Sequence, residues 1–370
     1  MAVKANWLQP FTMADPFNGN SEVSGFLCSK PDHRYGALAI THVDGAPAFQ
    51  IVAATPKLHY PFDRDGVFRF PPVKKVTVYD KLDGTNVLGF CYSDAEGQKR
   101  YSFKLRLSPF VRNGKYGAFL DLWSELLGRY PDLERLAARN GVNVSFEMYG
   151  ARNTHLIEYC DDLEVVALFG VRDDWSVVPL YGLDVAAVPT PTVLADFRSG
   201  SDLVAEYDAL RARMESTNRP GEDDRIVGTE GAILYTEDAH GAVSMWKCKP
   251  ESVEAIHWAT GINKTAVLAT CHNVLETSDT LDFSTLKPLL LEEYDEEEIE
   301  KFRSHIDECI AQVNDHLAFV ERVMTEYRAT GLSVSADKGA VMRRLSSKFP
   351  RAEMKKVYST IVNYEKANGA

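Results

Sequence analysis

The sequence has few cysteines, and none of them is spaced as a metal site or a disulfide framework requires. Its six cysteines lie far apart, without a C-x-x-C pair, among 370 residues. This spacing favours reduced thiols over a zinc site or a disulfide-stabilised secreted fold. We therefore expect all six to be buried as small hydrophobic side chains.

The chain also lacks a long apolar run and an N-terminal export signal. The longest apolar stretches, such as 165–171, are far shorter than the roughly 20 residues that cross a membrane. The opening residues, MAVKANWLQPFTM, do not combine a basic start, an apolar core and a small-residue cleavage site. We expect a soluble protein of the cytoplasm. Its oligomeric state stays open, with a monomer as the simplest expectation.

Several common catalytic signatures are missing, and so is an excess of basic charge. There is no G-x-x-x-x-G-K-[ST] phosphate loop, no G-x-G-x-x-G fingerprint, no H-E-x-x-H helix and no G-x-S-x-G elbow. The 41 Lys and Arg residues stand against 53 Asp and Glu, a formal net charge of −12. This balance excludes a protein coated in basic residues for non-specific nucleic-acid binding, and it leaves room for a local basic groove.

Strand patterns dominate the first two thirds of the chain. Strands are predicted at 37–43 and 48–52, joined by a turn at Asp44-Gly45, and at 73–78, 87–92, 142–148, 163–171, 228–235 and 242–249. In the strand 142–148, Glu147 shares the polar face with Asn143 and Ser145. Residues 118–139 have helical spacing, and Pro131 is placed to open a second helix there.

Helical patterns replace the strands after about residue 264. Apolar residues recur at intervals of three and four from Ile299 to Tyr327, the stripe of an amphipathic helix, and more helix is predicted after Gly331. We therefore predict an α+β fold in two domains. Residues 1–264 form antiparallel sheets with flanking helices, and residues 265–370 form an all-helical C-terminal domain.

One predicted strand ends in a lysine that faces a polar bend. In VYDKLDGTN, Lys81 closes the strand, and Asp83, Gly84 and Asn86 follow it. A lysine with its ordinary pKa of about 10.4 is protonated at neutral pH and is not a nucleophile. Partial burial and neighbouring positive charge favour loss of that proton. We expect Lys81 to be held as the neutral amine, with Gly84 letting the backbone come close to a ligand.

Two acids and two further lysines lie on later strands. Glu147 belongs to FEMYG and Glu230 to TEGAILY, whereas Lys247 and Lys249 share one face of the last strand because strand side chains alternate. Lysines neutralise charge on phosphate oxygens, and a carboxylate can hold hydrated Mg²⁺. If the strands gather these groups around Lys81, the arrangement suits phosphoanhydride chemistry.

The order of these motifs resembles nucleotidyltransferase motifs I, III, IIIa, IV and V of the ATP-dependent RNA ligases, in particular the bacteriophage T4-type enzymes. K-x-D-G with T-N, F-E-x-x-G, an apolar strand with an aromatic, E-G-x-x and K-x-K follow one another between Val73 and Pro250, about half of the chain. The resemblance implies a nucleotidyltransferase domain of the ATP-grasp-like ligase type. It also implies an RNA-repair enzyme that uses ATP and Mg²⁺, or Mn²⁺, to join 5′-phosphate and 3′-hydroxyl RNA ends.

The resemblance further implies a role for each matching residue. Lys81 attacks the α-phosphate of ATP and becomes lysyl-AMP; AMP then passes to the RNA 5′-phosphate, and the 3′-hydroxyl displaces it. Glu230 is the implied metal ligand. Asp80 helps to recognise adenine, Glu147 contacts the ribose and Phe169 stacks on the base. The full set of implied nucleotide contacts is Asp80, Lys81, Asp83, Gly84, Asn86, Arg106, Glu147, Phe169, Lys247 and Lys249.

Two regions fit the family less closely. Lys104 and Arg106, in FKLRLSPF, occupy the place of a basic residue that contacts AMP, and ordinary exposed strand charges are an equal alternative. Residues 1–72 match no motif, and we interpret them as an elaboration of the nucleotide-binding domain.

The part after Lys249 decides among related activities. DNA ligases and mRNA capping enzymes of the same superfamily carry a final basic motif and a barrel there, and this sequence has helical patterns instead. This favours an RNA ligase over an ATP-dependent DNA ligase or a GTP-dependent capping enzyme. A catalytically idle nucleotide- or RNA-binding homologue is the remaining alternative.

Basic residues are concentrated near the end of the chain. From Asp337 to Lys366, eight Lys and Arg residues stand against three Asp and Glu. A solvated helix face explains such charges, and a surface for RNA phosphates is the alternative. The residues predicted to bind RNA are Arg343, Arg344, Lys355 and Lys356.

Overall fold

The computed structural model describes residues 7–30, 32–63, 66–113, 118–153, 155–185, 187–198, 200–221, 225–258, 262, 264–291, 294 and 296–367. Within these ranges the chain is a mixed α/β fold with several antiparallel sheets and helices, as the patterns predicted. Three of the sheets, here called sheets I, II and III, determine where the candidate site lies.

Sheet I is a four-stranded meander at the start of the described chain. Its strands, in spatial order, are β1 (Leu8–Asp15), β2 (Ser21–Cys28), β3 (Leu38–Val43) and β4 (Ala46–Val52). Asp44 and Gly45 have φ values of 50° and 78°, as the favoured two-residue hairpin turn requires, so the predicted hairpin is confirmed. The buried face of sheet I packs on Phe90, Tyr92 and Phe110.

Sheet II has five strands in the order β10-β9-β8-β6-β7. They are β6 (Thr85–Ser93), β7 (Lys99–Leu105), β8 (Asn143–Tyr149), β9 (Glu164–Val171) and β10 (Val177–Pro179). Helices α1 (Phe119–Arg129) and α2 (Leu136–Asn140) share its core, where Trp123 contacts Phe103 and Phe146. Pro131 opens a short 3₁₀ turn between these helices.

Sheet III has four strands in the order β11-β5-β14-β15. They are β5 (Lys75–Lys81), β11 (Val193–Arg198), β14 (Gly231–Glu237) and β15 (Val243–Cys248), and a separate pair consists of β12 (Arg219–Pro220) and β13 (Ile226–Val227). Helix α3 (Leu203–Thr217) covers one face of sheet III through Tyr207, Leu210 and Met214. The other face shares a core with sheet II, where the Tyr235 hydroxyl donates to the Leu168 carbonyl oxygen at 3.3 Å.

The described elements after Cys248 are helices. They are α4 (Glu251–Trp258), α5 (Lys264–Thr277), α6 (Phe283–Leu290), α7 (Glu296–Lys301), α8 (Arg303–Thr330), α9 (Val334–Leu345) and α10 (Met354–Ala367). The predicted apolar stripe thus falls on the end of α7 and most of α8. None of the helices in the described ranges has the length and apolar character needed to cross a membrane.

The chain divides into two compact units. The first, here called the site unit, holds the residues up to Thr280 together with Ser284–Phe302. The second, here called the helical unit, holds Leu281–Phe283 and the residues from Arg303 on, and α8, α9 and α10 pack around Val323, Val341 and Val357. The predicted division into two domains near Thr265 differs from this division into compact units, and it stays a prediction.

The cysteines are free thiols, and most of them are buried as expected. Cys28, Cys248, Cys271 and Cys309 lie in the interior. The expectation is wrong for Cys160, which is exposed in the loop between β8 and β9, and Cys91 is half-buried.

Candidate active site

Two of the predicted lysines meet at one end of sheet III. Lys81 ends β5 and pairs with Gly231, the first residue of β14. Lys249 lies just past β15, and a Cβ on Gly231 would approach its Cα at 3.2 Å and the Cys248 carbonyl oxygen at 2.3 Å. Gly231 also has a φ of 154°. Only glycine therefore fits between the two lysines, which explains the glycine after Glu230.

A buried carboxylate joins these lysines. Glu230 Oε2 accepts a hydrogen bond from Lys81 Nζ, and Glu230 Oε1 accepts one from Lys249 Nζ at 3.0 Å. The side chains of Glu230 and Lys249 are only 6% and 9% exposed, whereas that of Lys81 keeps 20%. Ion pairing compensates for the cost of removing these charges from water, and the loss of one partner would leave a buried charge alone.

The neighbouring acids control the protonation of Lys81. Burial favours the neutral amine, but the charges of Glu230, Glu147 and Asp83 outweigh burial and raise the pKa of Lys81. Burial acts in the opposite sense on Glu230, where the charges of Lys81 and Lys249 prevail and lower the pKa to about 2. The expectation of a neutral Lys81 is therefore wrong for this state, because carboxylates dominate its surroundings.

Glu147 faces this cluster from sheet II. It pairs with Asn86 across β8 and β6, and Asn86 Nδ2 lies 2.9 Å from Ser145 Oγ, 3.0 Å from the Phe146 carbonyl oxygen and 3.4 Å from Glu147 Oε2. Burial raises the pKa of Glu147 to about 7, although the charge of Lys81 opposes the shift. The predicted polar side of β8 is therefore an interior surface near Lys81, and Glu147 can exchange a proton at neutral pH.

The bend after Lys81 is held by a loop that sequence analysis missed. Asp83 Oδ2 accepts hydrogen bonds from the backbone N–H groups of Leu156 and Ile157, at 2.6 and 2.7 Å. The Asp83 N–H donates to the Tyr159 hydroxyl oxygen at 2.7 Å. Asp83 thus fixes the bend to the loop that follows β8.

The same loop explains the glycine in this bend. A Cβ on Gly84 would lie 2.2 Å from the Met148 carbonyl oxygen. Asn153 Nδ2 donates to that same oxygen at 2.6 Å, and the Thr85 hydroxyl donates to Asn153 Oδ1 at 3.1 Å. The close approach that Gly84 permits in the structure is therefore to the backbone of β8, and its approach to a ligand stays a prediction.

Asp80 directly precedes Lys81 on β5, and Phe169 lies on β9 of sheet II. The side chain of Asp80 points to the opposite face of β5, where its Oδ1 accepts a hydrogen bond from the Thr229 hydroxyl at 3.0 Å. Phe169 pairs with Ser145 across β9 and β8 and is buried in the core shared by sheets II and III. The roles predicted for both with adenine stay predictions.

Lys104 on β7 and Arg106 just after it are not ordinary exposed strand charges. Lys104 is 1% exposed, and its ammonium donates to the carbonyl oxygens of Leu105 and Arg106 at 2.6 and 3.1 Å. Burial, helped by the charge of Arg106, lowers the pKa of Lys104 to about 7. The Arg106 guanidinium lies 3.5 Å from the Thr55 hydroxyl oxygen and over the ring of Tyr35. Its contact with AMP stays a prediction.

The residues predicted to bind RNA lie in the helical unit. Arg343, Arg344, Lys355 and Lys356 are all exposed. The Arg344 guanidinium donates to the Thr330 carbonyl oxygen at 2.6 Å, at the end of α8, and Lys356 Nζ lies 4.4 Å from the ring centroid of Phe319. Two of the four side chains therefore have intramolecular partners.

The carboxylates of this site could hold a divalent cation only if water or phosphate oxygens supplied the remaining ligands. Among the described residues, no group of three or more His, Cys, Asp or Glu side chains could hold a metal ion. Mg²⁺ in phosphate chemistry is held by one or two carboxylates, with water and phosphate oxygens filling the remaining positions. Glu230 and Glu147 match that donor set, and in this state both oxygens of Glu230 bind lysines.

Solved ligase structures are similar to this chain. An archaeal ATP-dependent RNA ligase matches with 13% identity and a TM-score of 0.44, over 85% of this chain and 76% of its own. An Aquifex aeolicus protein provisionally assigned as an ATP-dependent DNA ligase matches with 15% identity and a TM-score of 0.44, over 88% and 79%. A Naegleria gruberi RNA ligase variant with ATP and Mn matches with 14% identity and a TM-score of 0.33, over 48% and 50%.

No protein-family model and no curated protein matches the sequence. The chemistry of the site therefore rests on its own residues.

Proposed function

We propose that this chain is an ATP-dependent RNA ligase that joins 5′-phosphate and 3′-hydroxyl ends through an AMP group carried on Lys81. The observation that carries the proposal is the buried contact of Lys81 and Lys249 with opposite oxygens of Glu230, beside Glu147. A nucleophilic amine, a second cation and two acids are thus gathered from three strand ends and from within β8. ATP and Mg²⁺, or Mn²⁺, are the implied co-reactants.

In the first step, Lys81 Nζ forms a bond to the α-phosphorus of ATP. The bond from that phosphorus to the oxygen of the β-phosphate breaks, and pyrophosphate leaves with the electron pair. The amine must lose a proton before it attacks, and Glu230 Oε2 already accepts a hydrogen bond from Nζ. The proton passes to solvent, because Glu230, with a pKa of about 2, is its ion-pair partner and too weak a base to keep it. Lys249 remains next to the reacting phosphate, where its charge stabilises the transition state.

In the later steps, the adenylate returns to RNA. An oxygen of the RNA 5′-phosphate attacks the phosphorus, the nitrogen–phosphorus bond breaks, and Lys81 recovers its proton. The RNA 3′-hydroxyl then attacks the activated 5′-phosphorus, and AMP leaves as the phosphodiester forms. When bound, a divalent cation neutralises charge on the phosphate oxygens, and Glu230 is the residue proposed to hold it.

The remaining predicted residues complete a nucleotide pocket in this proposal. Phe169 stacks on adenine, Glu147 contacts the ribose with Asn86 orienting it, and Arg106 contacts AMP. Asp83 and Gly84 hold the bend on which Lys81 lies. Lys247 and Lys249 bind the phosphates. We propose that Asp80 contributes to adenine recognition without contacting the base. Its carboxylate accepts a hydrogen bond from Thr229, just before β14, and so positions that part of the chain.

Labelling with α-³²P nucleotides tests this proposal. With ATP and Mg²⁺, label should appear on the protein and disappear in Lys81→Ala, whereas Lys74→Ala, an exposed lysine just before the same strand, should label like the wild type. Label from GTP instead of ATP would indicate a capping-type enzyme. No label in protein freed of bound AMP would support an idle homologue and contradict the proposal.

A DNA ligase is the second candidate, and the choice of ends distinguishes it. RNA is proposed because the described chain continues as helices after Lys249, where the family resemblance associates a barrel with DNA ligases. Adenylylated wild-type protein should seal nicked or single-stranded RNA. Sealing of DNA ends with RNA ends left open would reverse the assignment of substrate and leave the lysyl-AMP chemistry intact.

A further inference from the structure

The segment that precedes β5 reaches the site beside Lys247. His59 forms a parallel bridge with Trp246, and the Lys247 N–H donates to the His59 carbonyl oxygen at 2.9 Å. This short contact lies along β15 and extends sheet III by one position. The segment 57–62, in a region that matches no family motif, is thereby joined at His59 to the edge of the sheet that carries the lysines.

The next residue of this segment lies against the side chain of Lys247. Lys247 Nζ is 4.5 Å from the centroid of the Tyr60 ring, and the residue is only 6% exposed. An ammonium over an aromatic face is attracted by the ring, more strongly when water is excluded. Phe62 stacks on Tyr60 at 5.1 Å and packs edge-on against Tyr207, so the orientation of the ring is fixed by the core behind it.

Tyr60 is also connected to Lys249. Its hydroxyl hydrogen-bonds to the carboxylate of Glu254, which in turn binds the Arg211 guanidinium. Arg211 Nε donates to the Lys249 carbonyl oxygen at 3.1 Å. A continuous path of contacts therefore runs from the side chain of Lys247 to the backbone of Lys249.

We infer that Tyr60 is a positioning residue that directs Lys247 at the phosphates of ATP beyond the α-phosphate. Lys249 is fixed beside Lys81 by Glu230, and Lys247 lies two residues earlier on the same face, roughly 7 Å away along the strand. A ligand whose α-phosphate meets Lys81 would extend its remaining phosphates along this face. The inference rests on the proposed function, and it gives the segment 57–62 a part in the site.

The physical effect of Tyr60 is to limit the freedom of a long side chain. A lysine loses much rotamer freedom when it binds a phosphate, and that loss weakens binding. Because the ring already holds the Lys247 ammonium near one position, the side chain loses less rotamer freedom when it binds a phosphate. Removing the ring should therefore weaken the binding of pyrophosphate while the Lys81–Glu230–Lys249 contacts remain.

Calorimetric titration with inorganic pyrophosphate and Mg²⁺ tests the inference without turnover. Tyr60→Leu should weaken pyrophosphate binding by roughly threefold to tenfold, as expected for a partly buried cation–aromatic contact. Tyr60→Phe, which keeps the ring, should bind within about twofold of the wild type. Phe68→Leu is the matched control, because Phe68 packs on Phe62 and Tyr207 in the same aromatic cluster. It should lower the melting temperature and leave pyrophosphate affinity unchanged.

The outcomes separate this inference from the proposed function. If wild-type protein takes up AMP and Tyr60→Leu binds pyrophosphate as well as the wild type does, the positioning role is wrong and the ligase chemistry stands. An equal loss in Phe68→Leu would show a structural effect and would also overturn the role. If the wild type takes up no AMP, the proposed function itself fails. A second readout is the ATP concentration for half-maximal adenylylation, which should rise in Tyr60→Leu with the saturating rate within about twofold.

Discussion

The site unit and the helical unit differ in how they accommodate charge. In the site unit, Glu230, Lys249 and most of Lys81 are withdrawn from water and bind one another. In the helical unit, the cations whose side chains are described include several that are exposed and lie over aromatic rings or at a helix end. Examples are Lys338 at 3.7 Å from the ring centroid of Tyr358, Arg322 at 4.7 Å from that of Phe349, and Arg344 on the Thr330 carbonyl oxygen.

The sign of the charge differs between these regions as well. Residues 1–302 carry 30 Lys and Arg against 45 Asp and Glu, whereas residues 303–370 carry 11 against 8. The overall negative charge therefore comes from the part of the chain that we propose to bind ATP. In this proposal, the helical unit attracts RNA at long range. A few buried lysines act on the reacting phosphate at short range. Single substitutions should be severe at the buried charges of the first region and mild at the exposed charges of either region.

The sharpest test of this contrast is Glu230→Gln. We expect the free energy of unfolding to fall by about 3 kcal/mol or more, because two buried ammonium groups lose their shared counter-ion. Adenylylation should be suppressed in parallel. Urea denaturation at pH 7 measures the effect, and Glu237→Gln, at the far end of the same strand, is the control with an expected change below about 1 kcal/mol. Equal losses in the two variants would remove the distinction between the buried charge of Glu230 and the half-buried charge of Glu237.

The stabilisation from Glu230 should depend on pH. Its folded-state pKa of about 2 lies below the ordinary value of 4.5. The carboxylate therefore stabilises the fold fully above pH 4.5, and its contribution is lost as the pH falls through about 2. The stability difference between the wild type and Glu230→Gln should be constant at neutral pH and shrink in acid. A difference that persists undiminished at the lowest pH would contradict the ion-pair account.

Glu147 should have the opposite pH dependence and a smaller effect. Its pKa is raised from 4.5 to about 7, so the folded protein binds this proton more tightly than the unfolded chain does. The wild type should therefore lose at most about 3 kcal/mol of stability as the pH rises from 4.5 to 7, and Glu147→Gln should lose less. The exposed residue Glu134 provides the control, since Glu134→Gln should keep the wild-type slope. If Glu147→Gln also keeps that slope, Glu147 is not the group responsible.

Tyr159→Phe tests whether the bend after Lys81 depends on the loop that holds it. The substitution leaves the Asp83 N–H without its acceptor, and we expect a loss of about 1–3 kcal/mol in the free energy of unfolding. Tyr149→Phe is the matched control, because Tyr149 forms the other half of the same ring pair, at 5.0 Å. A loss no larger than the control's would mean that the bend is held without Tyr159.

Neutralising Arg343, Arg344, Lys355 and Lys356 should have the smallest effect on stability. Exposed charges of this kind contribute at most about 1 kcal/mol each, and adenylylation should be unchanged. Sealing of RNA should nevertheless weaken, and most at low salt, because the phosphate contacts that the variant lacks contribute least when salt screens them in the wild type. The double variant Lys74→Ala, Lys99→Ala removes exposed positive charge from the site unit and should seal normally. Normal sealing by the quadruple variant at low salt and subsaturating RNA would exclude this surface from RNA binding.

Sequence patterns predicted the elements that depend on neighbours along the chain. Alternation in 73–78 and 142–148 gives β5 and β8, and the Asp44-Gly45 pair gives the hairpin between β3 and β4. The order of the motifs predicted that Lys81, Glu230 and Lys249 lie close together, and the structure shows both lysines in contact with Glu230. Helix α3 was missed because its buried residues, Tyr207, Leu210 and Met214, form a narrow stripe among charged residues.

The remaining features depend on residues far apart in the chain, and no local pattern marks them. Asp83 and Tyr159, which share a hydrogen bond, are 76 positions apart in the sequence. Tyr60 and Lys247, which are in contact, are also far apart in the sequence. The protonation of Lys81 was mispredicted for the same reason, because the balance between burial and three carboxylates appears only when the sheets are assembled. Motifs predicted the reacting groups, and the packed structure determines the charge of their side chains.

The most direct test of the central claim is the mass of peptides from wild-type protein incubated with ATP and Mg²⁺ and digested under conditions that preserve a phosphoramidate. If Lys81 carries the AMP group, one AMP should be found, attached to the peptide that contains Lys81 and released when pyrophosphate is added. The absence of AMP from every peptide, or its attachment to a residue other than Lys81, would contradict it.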